Sequence, residues 1–244
     1  MSYNIHHGVG ADGVFDIKRV AHTIKDCDAD IVALQDVDRG TQRAGNLDLM
    51  TRLADLTGMT YTFAESGEKD GGEHGNGLLT RFPILEERPL LYHLQLKNRE
   101  SGLMRLVLDL RGIEVLLMNT ELNGNQSDSV HSDNVAEILG AAKDYPNVPV
   151  ILCGSLNGAP GSKPTVTLSG SFSDCWTIAG TGEGFTFPTS KPEYRYDYVF
   201  VSRPRTPTDS KTPGVRLEPI EAHVVQSIAS DHLPVVATLR VVSQ

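Results

Sequence analysis

Apolar positions along the chain follow two periods. Ile17, Val20, Ala21 and Ile24 recur at helical spacing, as do Leu49, Met50, Leu53 and Ala54, and then Val135, Ile138, Leu139 and Ala142. Between and after these come short apolar runs, Ile31–Leu34, Val115–Met118 and Val148–Cys153, which read as buried strands. Leu106–Leu110 and Val235–Val241 alternate instead, and read as strands with one solvated face. Helices and strands mixed in this way, with several strand-to-strand connections, predict an α/β (α+β) sandwich. No Pro/Gly/Ser-rich or single-charge stretch divides the chain, so residues 1–244 are expected to form one domain with ample length for a core.

Charge narrows the function classes. The net charge of −9 speaks against a protein that captures nucleic acid through a broad basic surface, and suits a site built on carboxylates. The three cysteines, Cys27, Cys153 and Cys175, lack metal-like spacing and cannot all pair, so a disulfide framework is not expected. No apolar run is long enough to cross a membrane and no signal peptide is recognisable. A monomer is the default expectation.

Seven segments carry the chemistry. They are Ser2-Tyr3-Asn4-Ile5, Leu34-Gln35-Asp36-Val37-Asp38, Gly75-Asn76-Gly77-Leu78-Leu79-Thr80, Asn119-Thr120-Glu121-Leu122, Cys153-Gly154-Ser155-Leu156-Asn157, Tyr196-Asp197-Tyr198 and Ser230-Asp231-His232-Leu233-Pro234. In this order they resemble the endonuclease/exonuclease/phosphatase family of metal-dependent phosphoesterases. The resemblance implies a four-layer sandwich of two packed mixed β-sheets flanked by helices, with the active site at one edge. It also implies roles. Asp36, with Asn4 beside it, would hold Mg²⁺, and Asp231 is a further acidic site residue. His232 would stabilise charge on the phosphate, Asp197 would orient His232, and Asn157 would hydrogen-bond the scissile phosphate. Met1 falls directly on the first strand, where family members usually carry several preceding residues. A leader missing from this sequence therefore stays open, and so does localisation.

The chain departs from the family pattern at the places that matter most. Asp36 stands where a Glu is usual and reaches about 1.5 Å less, which weakens the expected Mg²⁺ site. Glu121 replaces a histidine and Ser155 replaces an aspartate that serves as base or organiser of the attacking water. Losing one such stabiliser typically costs about 10²–10³-fold in rate, so native-type phosphoester cleavage is expected to be weak or lost. His74, Ala44, Tyr196 and His131 are further departures near the same place. Clustering of this kind suggests a natural change of function or a deliberate redesign, because drift would scatter.

Three functions compete. Ser155, His74 and Glu121 supply the residue types of a nucleophilic triad, which would hydrolyse activated esters without a cofactor, with Asn157 and Asn4 as oxyanion donors. This reading stands slightly ahead for any activity present. Asn4, Asp36, Asn157, Asp231 and His232 could instead retain Mg²⁺-dependent phosphodiesterase or phosphatase activity. A third outcome is a catalytically dead module that binds a phosphorylated or sugar-like molecule. Each residue alone also has a plain structural explanation, as a solvated acid or a loop residue bonded to its own backbone. For either hydrolase the partner is a small-molecule ester or phosphoester substrate, and nucleic acid is not expected.

Overall fold

The computed structural model describes residues 1–93, 101–124, 128–203 and 214–243. Strand β1 (Ser2–Asn4) leads through a short 3₁₀ turn at His6–Gly8 to helix α1 (Ile17–Asp26), strand β2 (Ile31–Arg39) and helix α2 (Leu49–Thr57). Strands β3 (Thr60–Lys69), β4 (Gly72–Thr80), β5 (Ile84–Glu87), β6 (Leu90–Leu91), β7 (Gly102–Asp109) and β8 (Glu114–Glu121) follow. After them come α3 (Asp128–Lys143), β9 (Val150–Ser155), α4 (Lys163–Ser169), β10 (Phe172–Asp174), α5 (Cys175–Ala179), β11 (Asp197–Ser202), β12 (Val215–Val224) and β13 (Val235–Ser243).

The strands form two mixed sheets. One runs β12-β13-β1-β2-β4-β3 and the other β10-β11-β9-β8-β7-β5, with β6 paired to β7. The parallel pairs are β1–β2 and β8–β9, and every other pairing is antiparallel. The expected α/β sandwich is therefore present. Both faces of the central strands are covered, which explains their unbroken apolar runs. On β8, Val115 and Leu117 face the other sheet, while Leu116 and Met118 pack with Val135 and Ile138 of α3. On β2, Ala33 faces the other sheet, while Val32 and Leu34 pack with Val20 and Ile24 of α1 and Leu53 of α2.

The helices form where their apolar spacing places them. Asp16 caps α1 by accepting from the Lys18 amide, and Asp48 caps α2 from the Thr51 amide. Gly58, at φ 71°, ends α2 in the left-handed region that glycine favours. β13 alternates as its pattern predicts only from Ala237 to Arg240, since Val235 and Val236 are both buried, and Leu106, Val107 and Leu108 of β7 are all buried. β7 is an interior strand whose Val107 joins the layer under α3 while Leu106 and Leu108 fill the space between the sheets. Cys27, Cys153 and Cys175 are free thiols. Among the described residues, no helix is long and apolar enough to cross a membrane.

Candidate functional site

Strand ends converge on one rim. Asn4 is the last residue of β1, Glu121 of β8 and Ser155 of β9, and Asp197 is the first of β11. Strand pairing sets Glu121 opposite Ser155 and Ser155 opposite Asp197, so the three form a row across the second sheet. Asp36 is aimed by a defect: the β2–β4 register shifts between Leu34 and Val37, and Asp36 sits there at φ 51°. A bulge of this kind redirects a side chain that a regular strand would send elsewhere. On β4, Gly75 lies so close to β3 that a Cβ would fall 2.1 Å from the Ala64 carbonyl oxygen, so only glycine fits.

A cavity of about 330 Å³ opens at this rim, and its lining includes Asn4, Asp36, His74, Glu121, Asn157, Asp231 and His232. Ser155 and Asp197 do not belong to that lining and are buried. His232 Nδ1 lies 2.8 Å from Asp197 Oδ2. Burial works against a charged ring there, but the carboxylates of Asp197, Asp231 and Glu121 outweigh it and lift His232 to about 9. The Phe187 ring stands 4.7 Å from the His232 ring, centroid to centroid, and forms the apolar side of the cavity. Asn157 donates to the Leu122 carbonyl at 2.7 Å, and the Ser230 hydroxyl donates to the Asn4 carbonyl at 2.8 Å.

Glu121 accepts a hydrogen bond from Asn4 Nδ2 at 3.2 Å. Burial and the charge of Asp36 push its carboxyl well above the ordinary carboxylate range, against the pull of His74, His232 and Asn4. Glu121 therefore takes up a proton more readily than an ordinary carboxylate.

The proposed serine triad does not assemble. Ser155 Oγ has no hydrogen-bond partner, and Glu121 is bonded to Asn4 instead of His74. His74 Nδ1 lies 3.3 Å from Asp38 Oδ1 and 3.4 Å from Asp36 Oδ1. Burial lowers the affinity of His74 for a proton, but Asp38, Asp36 and Glu121 together raise it above the usual imidazole value. The histidine expected to activate the serine is thus held by two aspartates on β2.

Five residues to which the sequence reading gave no role complete the surroundings of Asp36. His7 Nδ1 lies 3.3 Å from Asp36 Oδ2, and Arg43 NH2 lies 3.3 Å from Asp36 Oδ1. Asp38 accepts from Arg43 at 2.6 and 2.7 Å and from the Thr41 hydroxyl at 2.6 Å. His6 stands beside Asp231, 3.6 Å from its carboxylate. Among the described residues, two groups have donor atoms close enough to share one metal ion: His6, His7 and Asp36, and Asp36, Asp38 and His74. Burial opposes the charge on Asp36, but His7, His74 and Arg43 hold its carboxyl below the usual range. Backbone strain gathers here as well. His6 (φ 44°), His7 (43°), Asp36 (51°) and Asn157 (47°) all adopt left-handed conformations, at a cost on the order of 1 kcal/mol each. The visible signal was the His6-His7-Gly8 run, two adjacent imidazoles before a glycine.

Comparison with known proteins identifies the family and the fold. Residues 1–232 match the sequence model of the Endonuclease/Exonuclease/phosphatase family. No curated protein matches the chain in sequence. Among solved structures, an endonuclease/exonuclease/phosphatase from Beutenbergia cavernae DSM 12333 is 24% identical with a TM-score of 0.76, over 98% of this chain and 70% of that one. The mannosyl-6-phosphatase of Bacteroides thetaiotaomicron VPI-5482 is 17% identical with a TM-score of 0.73, over 98% of each chain. D. rerio TDP2 complexed with single-strand DNA product is 18% identical with a TM-score of 0.72, over 98% of this chain and 97% of that one. At these identities the similarity carries the fold alone.

Proposed function

The chain belongs to the endonuclease/exonuclease/phosphatase family, and on that premise we propose that it is a divalent-cation-dependent phosphoesterase for a small phosphate ester, with a remodelled and slowed site. The observation that carries this reading is the convergence of Asp36, Asn157, Asp231 and His232 on one cavity, with His232 paired to the buried Asp197. Family members are typically metal-dependent, and the residues around Asp36 fit a cation: one carboxylate held deprotonated, with imidazoles within reach of the same ion. When bound, the cation supplies Lewis-acid polarisation of a phosphoryl oxygen.

The chain's own groups supply the rest. His232, kept charged at neutral pH by Asp197, donates to a phosphate oxygen and meets the charge that develops in the transition state. Asn157, fixed through one N–H to the Leu122 carbonyl, offers the other to the same group. Glu121 in its protonated form donates where relatives carry a histidine. Asp231, open to the cavity, is the carboxylate that accepts the proton of the attacking water in place of the missing acid at Ser155. Phe187 packs against the leaving group.

One solved relative is named a mannosyl-6-phosphatase and another was captured with single-strand DNA product. The net charge of −9 and the cavity volume of about 330 Å³ favour a small substrate over nucleic acid. The reading is tested by phosphate release from glucose 6-phosphate and 4-nitrophenyl phosphate, with and without added dication. Cation-dependent turnover that falls about 10²-fold or more in His232→Asn is expected. Turnover indifferent to both the cation and this substitution would overturn it. The ester-hydrolase alternative finds no supporting contact, because nothing is placed to take the Ser155 proton.

A further inference from the structure

Asp36 is surrounded by nitrogen. Its Oδ2 faces His7 Nδ1 at 3.3 Å, and the donor atoms of His6, His7 and Asp36 all lie within 4.8 Å of one another. Adjacent residues of an extended chain point to opposite sides, so two consecutive imidazoles ordinarily cannot serve one ion. Here the left-handed backbone of both His6 and His7 turns them together, and their rings meet edge-on with centroids 4.4 Å apart. Gly8 follows at φ 88° and fits tightly under Phe15, where a Cβ would lie 2.8 Å from the ring, which fixes the turn from below. The His7 and Asp36 side chains are only 13% and 16% exposed.

The other group, Asp36 with Asp38 and His74, is closed to an ion by its own partners. Asp38 already carries the Arg43 guanidinium through two bonds and the Thr41 hydroxyl through a third, and Arg43 also reaches Asp36 Oδ1. That fixed positive charge leaves Oδ2, the side of His7, as the free face of Asp36.

Ligand type then selects the ion. Mg²⁺ takes oxygen ligands and gives up water reluctantly, whereas imidazole suits borderline transition-metal dications. Two histidines and one carboxylate also leave coordination positions open for water and substrate. We infer that His6, His7 and Asp36 form a two-histidine, one-carboxylate metal site that prefers Zn²⁺ and similar dications to Mg²⁺. The inference rests on the reading of Asp36 as the cation ligand and names the ion and the two further ligands.

The test is calorimetric titration of chelator-stripped full-length protein with ZnCl₂ and, separately, MgCl₂, with the Co²⁺ absorption spectrum as a report on nitrogen ligation. One equivalent of Zn²⁺ is expected to bind at least 100-fold more tightly than Mg²⁺. His7→Ala and His6→Ala should each weaken Zn²⁺ at least 10-fold while Mg²⁺ binding stays as it was. His6→Asn and His7→Asn, which keep a residue at ease in the left-handed region, guard against loss through misfolding. His22→Ala, on the exposed face of α1, should change nothing. Equal affinity for the two ions, or Zn²⁺ binding that survives the double His6→Asn/His7→Asn variant, would overturn the inference. Tight Zn²⁺ binding without phosphate release would sink the phosphoesterase reading and leave the site standing. Mg²⁺-supported turnover indifferent to both histidines would do the reverse.

Discussion

Asp38, fully buried, gathers the groups around it: Arg43 bonds it twice, the Thr41 hydroxyl once, and His74 stands 3.3 Å away. Asp38→Asn removes the charge and strands a guanidinium, so stability should fall by about 3 kcal/mol, read from the denaturant midpoint. Burial raises the Asp38 pKa, but His74, Arg43 and Thr41 more than reverse this and hold it below the ordinary carboxylate value. A depressed folded value contributes stability above the unfolded pKa and loses it as pH falls towards the folded one. Acid unfolding of the wild type should therefore steepen below about pH 4, and Asp38→Asn should flatten that limb. Residue types in order were enough to bring Asn4, Asp36, Asn157, Asp231 and His232 to one cavity. They were not enough for His6 and His7, whose convergence depends on a backbone angle that no periodicity encodes. Nor could they show that Asp38, two positions past Asp36, would take the imidazole of His74 that the triad needed.

The strand row Glu121–Ser155–Asp197 sets positions 121 and 155 side by side, so what stands at one bears on the other. An aspartate at 155 would stand between two acids, one of them already paired with His232. A serine there spares the fold a third carboxylate, at the expense of an unbonded buried hydroxyl. Ser155→Asp alone should lower the melting temperature, and Ser155→Asp with Glu121→His should recover it and raise cation-dependent phosphate release at least 10-fold. Failure of the double variant to gain cation-dependent activity would count heavily against the phosphoesterase reading. At this scale the sequence was most legible, because buried strands and amphipathic helices announce themselves by period. β7 was an exception: Arg105 in its middle and Asp109 at its end, both half-buried, suggest a solvated face that the packing does not leave, because Leu106, Val107 and Leu108 are all buried.

Across the whole molecule, one buried side chain ties the two sheets at their centre. Asn119 on β8 accepts from Gln35 Nε2 at 2.7 Å and donates to the carbonyls of Leu34 and Gly77 at 2.8 and 3.0 Å, all three on the opposite sheet. Asn119→Leu should cost about 3 kcal/mol in equilibrium unfolding, since it leaves buried polar groups on β2 and β4 without partners. The resemblance that named the segment Asn119-Thr120-Glu121 drew the eye to position 121, and only the packing of the sheets shows what position 119 does. A last consequence follows from strand order. β1 lies between β13 and β2, and the Asn4 carbonyl is held by Ser230 across a separation of 226 positions. During synthesis Asn4 and Asp36 emerge well before the loop that bears Asp231 and His232. The cavity therefore forms only when segments 226 positions apart have met, and a chain cut short of Ser230 would lack it.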